Sequence, residues 1–308
     1  MPRLRHLLIA FALCLASPLQ AQTLSLTFDD GLNPDTQPAA AEWNARLLAQ
    51  LEQAGITAMV FPALVRTGPG SGIRLIADWS AAGHAVGNHT SGHRSLAAGT
   101  VSLADFIEQV SEAQAYFGHL PGWQKRLRFP YLKEGNTAEK RDGMRAWLQA
   151  NDYRPAPVSI DASDWYYDQV FSAWLALGDN AKAEQVKQAY IAHLLQRAGY
   201  YDQLAQQLLG RRPAHVLLLH TNQLNAAALP ALIHAFQAAG WQFVSPLQAF
   251  DDALYQQQPD ILPAGESLVW ALAKAQGLPG LRYPAEDAQY EKPLLQAQGL
   301  LPDTQAGP

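Results

Sequence analysis

Residues 24–31 read LSLTFDDG, a short apolar run that ends in two acidic residues and a glycine. The length and residue types of the run are those of a buried β-strand. Similar runs recur along the chain, and stretches with the apolar spacing of helices separate them. This alternation is typical of a parallel sheet whose two faces are covered by helices. The sequence therefore predicts an α/β fold built from repeated strand–helix units.

The pattern predicts about seven strands and three clear helices. The predicted strands are Leu24–Phe28, Ile56–Phe61, His84–Asn88, Arg126–Phe129, Pro157–Ile160, His215–Leu219 and Gln242–Val244. The predicted helices are Ala40–Ala54, Ile73–Ala82 and Leu103–Phe117. Because no glycine-rich phosphate loop follows any strand, we expect a distorted, incomplete (β/α) barrel rather than a nucleotide-binding sheet.

Two segments depart from the alternation of strands and helices. The first lies within a main domain predicted at residues 22–252, and the second follows that domain. Residues 168–212 are rich in Ala, Gln, Leu and Lys, and they are predicted to form a helical insertion of two helices joined near Gly199. Residues 253–308 are rich in proline and contain one clear predicted helix, Leu268–Ala275. We expect this C-terminal extension to be partly ordered, packed on the domain and loose at its end.

The first 21 residues have the pattern of a secretory signal peptide. Arg3 and Arg5 precede an apolar run, Leu7–Ala16, that is too short to span a bilayer. An uncleaved anchor is the alternative, and the residues before Cys14 match a lipoprotein motif only weakly. We therefore expect an exported protein, periplasmic or secreted, with no stable membrane anchor.

Composition excludes several classes of function. Cys14 is the only cysteine and lies in the predicted signal peptide. Without it there are no disulfides and no cysteine-ligated zinc, so any metal must be bound by histidines and carboxylates. The net charge is −5 and no run of Lys or Arg occurs. Nucleic acid and anionic membrane surfaces are therefore not expected partners.

Polar residues follow the predicted strands at the point where each strand ends. Asp29 and Asp30 close the first strand, and His89 and His93 follow the third. The carboxyl ends of parallel strands meet at one face of a barrel, so these side chains are expected to lie close together. Asp-Asp-Gly alone could be a turn or a helix cap, and a pair of histidines four residues apart is weak evidence alone. Together they form a two-histidine, one-carboxylate set, which is typical of a metal site with open positions.

A histidine also closes the sixth predicted strand. His220 follows four apolar residues and, considered alone, is better explained as a core residue. Arg128, Asp161 and Asp164 stand at neighbouring strand ends, where charged groups would orient the imidazole and shift its pKa.

Five segments at strand ends resemble, in order, the motifs of the NodB-homology polysaccharide deacetylases, carbohydrate esterase family four. The segments are Thr27–Gly31, His89–His93, Arg128–Tyr131, Asp161–Trp165 and Leu218–His220. The resemblance covers roughly residues 24–252. Two features depart from the common family pattern: Leu132 stands where glycine is frequent, and Thr221-Asn222 stands where many members have an acid.

The resemblance implies a role for each of several residues. Those implied to carry or support proton transfer are Asp29 as general base, His220 as general acid, Arg128 orienting Asp29, and Asp164 paired with His220. The implied metal ligands are Asp30, His89 and His93. The implied substrate-binding residues are Pro130, Tyr131, Trp165 and Leu218. Beside Arg128 and a cation, Asp29 is expected to titrate low, and His220 beside Asp164 is expected to titrate high.

The implied reaction is hydrolysis of an acetyl group, N- or O-linked, on a carbohydrate polymer or oligomer. One divalent ion is expected as cofactor, zinc first, with cobalt, nickel or manganese as alternatives. An acetylated carbohydrate is the expected partner. Two alternatives stay open: a hydrolase of small amides or imides on the same scaffold, and a carbohydrate-binding relative that has lost catalysis.

Overall fold

A computed structural model describes residues 22–302 and contains a mostly parallel sheet of seven strands. Its strands are β1 (Gln22–Asp30), β2 (Met59–Pro62), β3 (Ala85–Asn88), β4 (Trp123–Leu127), β6 (Arg154–Pro155), β7 (Ala214–His220) and β8 (Trp241–Phe243). The order across the sheet is β6-β4-β3-β2-β1-β7, and β8 pairs with the first residues of β1. A second, antiparallel sheet joins β5 (Lys133–Gly135) to β9 (Ala264–Gly265). The predicted α/β class and parallel sheet are confirmed.

Helices cover the sheet and connect its strands. They are α1 (Ala40–Ala54), α2 (Leu64–Thr67), α3 (Ser71–Ala81), α4 (Leu103–Phe117), α5 (Ala138–Ala150), α6 (Asp164–Ala176), α7 (Asn180–Leu209), α8 (Gln223–Ala238), α9 (Pro246–Ala249), α10 (Leu268–Ala275) and α11 (Ala288–Ala297). The predicted bounds of α1 and α4 are confirmed. Gly55, in a left-handed conformation, ends α1. A capping box between Ser102 and Asp105 begins α4.

The central strand β1 aligns the functional segments. Leu26 and Phe28 are buried, and the hydroxyl of Thr27 donates a hydrogen bond to the carbonyl of Leu217 at 2.7 Å. The parallel register places Asp29 beside His220. Because both faces of the strand are covered, its two terminal acids lie at the edge of the core.

The predicted strand Pro157–Ile160 is wrong. The ladder beside β4 spans only Arg154–Pro155, and Ile160 forms an isolated parallel bridge with Leu217 of β7. Pro157 has no N–H group to donate to a neighbouring strand, which disfavours a regular ladder at the start of this segment. A single bridge therefore links this end of the sheet to β7, and no regular ladder closes a barrel within residues 22–302.

The insertion consists of α6 and α7, as the composition predicted, but the predicted joint near Gly199 is wrong. Gly199 lies inside the 30-residue helix α7, and the chain turns instead at Gly178, where φ is 76°. A glycine inside a helix costs about 1 kcal/mol, which the packing of the buried Ala198 and Tyr201 outweighs. Both helices contribute to the main hydrophobic core rather than forming an appendage.

The C-terminal extension packs on the same core. The predicted helix Leu268–Ala275 is confirmed as α10, and α11 follows it. Val269 and Trp270 of α10 and Leu295 of α11 are buried in the main cluster. The predicted loose end falls beyond residue 302 and the predicted signal peptide before residue 22, both outside the described residues. Within 22–302, no helix is both long and apolar enough to cross a bilayer.

At Gly265 the backbone of the C-terminal extension packs directly against the backbone of the main domain. Its φ is 127°, and a Cβ there would lie 1.9 Å from the carbonyl oxygen of Leu132. Only glycine fits this contact, which is part of the β5–β9 pairing.

We expect Gly265→Ala to destabilise the protein by about 1–3 kcal/mol more than Gly277→Ala, because a backbone oxygen cannot give way to the new methyl group. Gly277 is the matched control: it lies in the extension, has φ of 73°, and a Cβ added to it would have no neighbouring atom within 4 Å. Thermal unfolding of both variants measures the difference. Equal losses would contradict the close approach at Gly265.

Candidate active site

A cavity of about 490 Å³ lies at the carboxyl ends of the parallel strands. Eight of the residues predicted from sequence line it: Asp29, Asp30, His89, His93, Tyr131, Trp165, Leu218 and His220. Arg128 and Asp164 are fully buried and contact Asp29 and His220 from behind. Pro130 is buried and is not part of the lining.

Asp30, His89 and His93 form a candidate metal site. One ligand atom from each lies within 4.8 Å of the others. Asp30 Oδ1 is 3.1 Å from His93 Nε2 and 3.8 Å from His89 Nε2. This oxygen is buried and has no hydrogen-bond partner, which is costly unless a cation satisfies it. The donor set and the unsatisfied oxygen therefore fit a divalent ion.

Hydrogen bonding fixes the tautomer of His89. Its Nδ1 lies 2.7 Å from the carbonyl oxygen of Arg128, which can only accept, so Nδ1 carries the proton. The lone pair of Nε2 is then directed to the side of Asp29 and Asp30. Burial lowers the pKa of His89 well below its ordinary value. The neutral form, with Nε2 free, is the form that binds metals.

A second cluster of His193, Glu286 and Glu291 also has metal-like spacing. His193 Nε2 accepts a hydrogen bond from the N–H of Ser163 at 3.2 Å. Its Nδ1 lies 3.2 Å from a carboxylate oxygen of Glu291 and donates to it. Because both ring nitrogens are used, no lone pair is left for an ion, and this cluster is structural.

Asp29 and Arg128 form a buried ion pair beside the candidate metal site. Arg128 Nη1 donates to Asp29 Oδ1 at 3.0 Å, Nη2 donates to Thr27, and Nε donates to the carbonyl of Ala156. These three bonds hold the guanidinium of Arg128 in place, and its bond to Oδ1 in turn fixes the carboxylate of Asp29. Burial raises the pKa of Asp29 to about 6, although the Arg128 guanidinium acts to lower it. The sequence predicts a low pKa from Arg128 together with a bound cation; desolvation acts in the opposite direction and outweighs the ion pair with Arg128.

His220 is held by Asp164. Its Nδ1 donates to Asp164 Oδ1 at 2.7 Å and its backbone N–H donates to Oδ2 at 2.7 Å. Asn225 Nδ2 donates both to Asp164 Oδ2 and to the carbonyl of His220. Burial would lower the pKa of His220, but the Asp164 carboxylate outweighs it and raises the pKa to about 10. The high value expected from sequence agrees with this, and Nε2 faces the cavity as a proton donor.

Backbone strain concentrates at the cavity. In the described part of the chain, all but one of the non-glycine residues with positive φ lie at or beside it: Asp30, Thr90, His93, Tyr131, Leu132 and Glu266. Left-handed conformations cost about 1–2 kcal/mol in such residues and persist where surrounding structure enforces them. Leu132, at a position where glycine is frequent in the family, has φ of 55°, a conformation that glycine adopts freely.

Sequence reasoning missed several cavity residues. Lys133, Glu266, Glu286 and Asp287 line the cavity, and the last three come from the C-terminal extension. Asp161 also lines it, and burial raises its pKa to about 6. The sequence indicated Asp161 only as a charged neighbour of His220, not as a residue of the cavity lining. The extension residues carry no signal: the two-residue strand β9 before Glu266 has no detectable periodicity, and Glu286 and Asp287 follow an irregular segment.

Comparisons with known proteins agree with this geometry. A family model described as polysaccharide deacetylase matches residues 16–147. A peptidoglycan-N-acetylglucosamine deacetylase from Bacillus cereus is 26% identical over 156 residues, 50% of each chain. A chitooligosaccharide deacetylase from Azorhizobium caulinodans is 26% identical over 171 residues, 52% of this chain and 69% of that protein. The chain thus spans about half the length of the first relative.

A solved structure supports the fold. It is a peptidoglycan N-acetylglucosamine deacetylase in complex with a benzamide compound, 20% identical, and it covers 76% of this chain and 90% of its own with a TM-score of 0.50. The family model, the two relatives and the shared fold agree. Residues 16–147 are similar to the polysaccharide deacetylase family, and the chain shares its fold with a solved deacetylase structure.

Proposed function

We propose that this protein is a metal-dependent hydrolase that removes acetyl groups from an acetylated carbohydrate. One observation carries the proposal: a candidate metal site, a buried carboxylate and an Asp-held histidine open into the same cavity. Metal-assisted amide hydrolysis needs these three parts, an ion, a proton acceptor and a proton donor.

Asp30, His89 and His93 would hold the ion. A divalent cation there would polarise the substrate carbonyl and lower the pKa of an attacking water. With neutral imidazoles and a carboxylate as the donor set, zinc is our first choice, with cobalt, nickel and manganese as alternatives. His89 is oriented by the Arg128 carbonyl, which fixes the ring in the metal-binding tautomer.

Asp29 is the proposed general base. Its Oδ1 is held by Arg128, while Oδ2 lies 3.5 Å from His89 Nε2, on the side of the metal site. A carboxylate fixed by one oxygen can accept a proton on the other without moving. We propose Arg128 as its positioning residue.

His220 is the proposed general acid. Asp164 fixes the ring so that Nε2 is directed into the cavity and keeps the imidazole protonated. The proton on Nε2 is then available to the departing amine or alcohol. Trp165 and Leu218 line the cavity next to it and would enclose the acetyl group, and the backbone N–H of Tyr131 would stabilise the oxyanion.

The proposed substrate is an N-acetylated glucosamine oligomer or polymer. The names of the two relatives, a peptidoglycan-N-acetylglucosamine and a chitooligosaccharide deacetylase, support this choice. Such substrates lie outside the cytoplasm, which agrees with the signal peptide predicted from the sequence. We therefore also propose that the protein is exported.

Acetate release from chitin oligomers, peptidoglycan, acetylxylan and poly-N-acetylglucosamine tests the proposal. We expect release from at least one N-acetylglucosamine substrate by the wild type with a bound divalent ion. His93→Ala should bind less metal by elemental analysis and release little acetate, since it loses a ligand. His234→Ala, an exposed residue of α8, is the matched control and should keep both. Binding of a glycan without any acetate release would favour a non-catalytic relative, and hydrolysis of small amides only would favour the other alternative.

A further inference from the structure

Exposed aromatic side chains cluster around the cavity. Within residues 22–302, four aromatic residues have large exposed side chains: Tyr116, Tyr131, Trp165 and Tyr283. Tyr131 (59% exposed) and Trp165 (37%) line the cavity directly. Tyr283 (52%) precedes Pro284, which lines the cavity, and its ring centre is 5.1 Å from Nζ of Lys133, another lining residue. Only Tyr116, on α4, is not associated with the lining.

Tyr283 belongs to an irregular segment that is fixed in place. The indole N–H of Trp270 donates to the carbonyl of Arg282 at 2.9 Å, and the hydroxyl of Tyr290 donates to the carbonyl of Tyr283 at 3.3 Å. The N–H of Ala285 donates to Glu266 Oε2 at 3.0 Å. These three hydrogen bonds hold the backbone of residues 282–285 in place, so the segment forms a fixed wall of the cavity.

A buried ion pair fastens the wall to the insertion. Glu286 pairs with Arg197 of α7 and accepts a hydrogen bond from the hydroxyl of Tyr201 at 3.0 Å. The side chains of Glu286 and Arg197 are almost completely buried, and burying two charges is costly in itself. The pair therefore need not stabilise the folded protein, but it does position the segment that contains Tyr283 beside the cavity.

Tyr283 is only partly packed: its ring centre lies 5.8 Å from that of Trp270, and 52% of the residue remains exposed. Because hydrogen bonds hold the segment, the ring keeps this position beside the cavity lining. Carbohydrate sites use such rings, because the apolar face of a sugar packs on an aromatic surface while its hydroxyls bind nearby polar groups. The carboxylates of Asp161 and Asp287 line the adjacent cavity.

We propose that Tyr283 is a stacking platform for a sugar ring that adjoins the acetylated unit in the cavity. The C-terminal extension thus adds a binding position for a longer glycan to the catalytic domain. The proposal rests on the proposed function, since the occupant is a neighbouring unit of the same substrate. It predicts that Tyr283 matters only for substrates long enough to reach it.

The test compares N-acetylglucosamine oligomers of two and five units with wild type, Tyr283→Ala, Tyr283→Trp and Tyr116→Ala. For Tyr283→Ala we expect kcat/KM on the longer oligomer to fall about tenfold, mainly through KM, because the ring would contribute to binding of the longer glycan and not to the chemical step. The shorter oligomer should be affected less than twofold. Tyr283→Trp should retain activity, and Tyr116→Ala, an exposed tyrosine away from the cavity, should match the wild type.

Binding measured without turnover separates this proposal from the proposed function. Calorimetry of the longer oligomer with Asp29→Asn and with Asp29→Asn/Tyr283→Ala should show weaker binding to the double variant. If the wild type releases no acetate, the proposed function fails, while this comparison still tests Tyr283. Equal losses on both oligomers, higher activity of Tyr283→Ala on the longer one, or equal binding by the two Asp29→Asn proteins would overturn the proposal.

Discussion

Replacing Asp29 with Asn is expected to lower kcat by a factor of about 10² or more while leaving close to one divalent ion per chain. Asn keeps the size of the side chain and can still accept the hydrogen bond from Arg128, but it cannot take a proton. The proposed metal ligands are unchanged, so elemental analysis should give wild-type metal content. Steady-state kinetics on the best carbohydrate substrate measures the loss.

Asp30→Asn is the matched comparison, one residue along the same strand. It removes the negative charge that the site offers the cation, so metal content and kcat should fall together. The buried oxygen of Asp30 that lacks a hydrogen-bond partner is the structural reason to assign the ligand role to this residue. An Asp29→Asn protein that loses its ion, beside an active and metal-loaded Asp30→Asn protein, would reverse the two assignments.

Replacing Asp164 with Asn is expected to reduce kcat at least a hundredfold with little change in metal content. The carboxylate accepts a hydrogen bond from Nδ1 of His220, which orients the ring, and its negative charge keeps the ring protonated. An amide carries no charge and would orient and protonate the ring less well. Asp164 does not touch the candidate ligands in the described structure, so the ion should remain bound. Activity and metal content measured on the same preparation separate the two effects.

Asp168→Asn is the control for Asp164. Asp168 lies one helical turn further along α6 and accepts a hydrogen bond from the N–H of Leu224 at 2.8 Å, which an Asn oxygen can also accept. We expect kcat within about twofold of wild type, since a substitution that keeps the size of the side chain and its hydrogen bond has a small effect. An equal loss of kcat in the two variants would contradict this account, because it would show that Asp164 stabilises helix α6 rather than His220.

The sequence predicted the convergence of the site because it depends on a general property of parallel sheets. Asp29, His89 and His220 follow apolar strands, and the carboxyl ends of such strands meet wherever the sheet is parallel. The effect of burial on the pKa of Asp29 was harder to predict. A bound cation and Arg128 together suggested a low pKa for Asp29, whereas burial of the carboxylate acts to raise it.

The remaining differences come from contacts that have no local sequence pattern. Gly199 resembled a helix end, but buried residues on both sides of it keep α7 continuous. Glu266 and Glu286 reach the cavity only because Gly265 approaches the carbonyl of Leu132 and because Arg197 pairs with Glu286. These are tertiary contacts between segments far apart in the chain, so neither periodicity nor motif spacing could indicate them.

Acetate release by the wild type before and after removal of its metal tests the central claim most directly. We predict that a chelator abolishes release from an N-acetylglucosamine oligomer, and that about one equivalent of a divalent ion per chain restores it. His93→Ala, treated in the same way, should not recover at that concentration of ion. Undiminished release by protein shown to be free of metal would contradict the account.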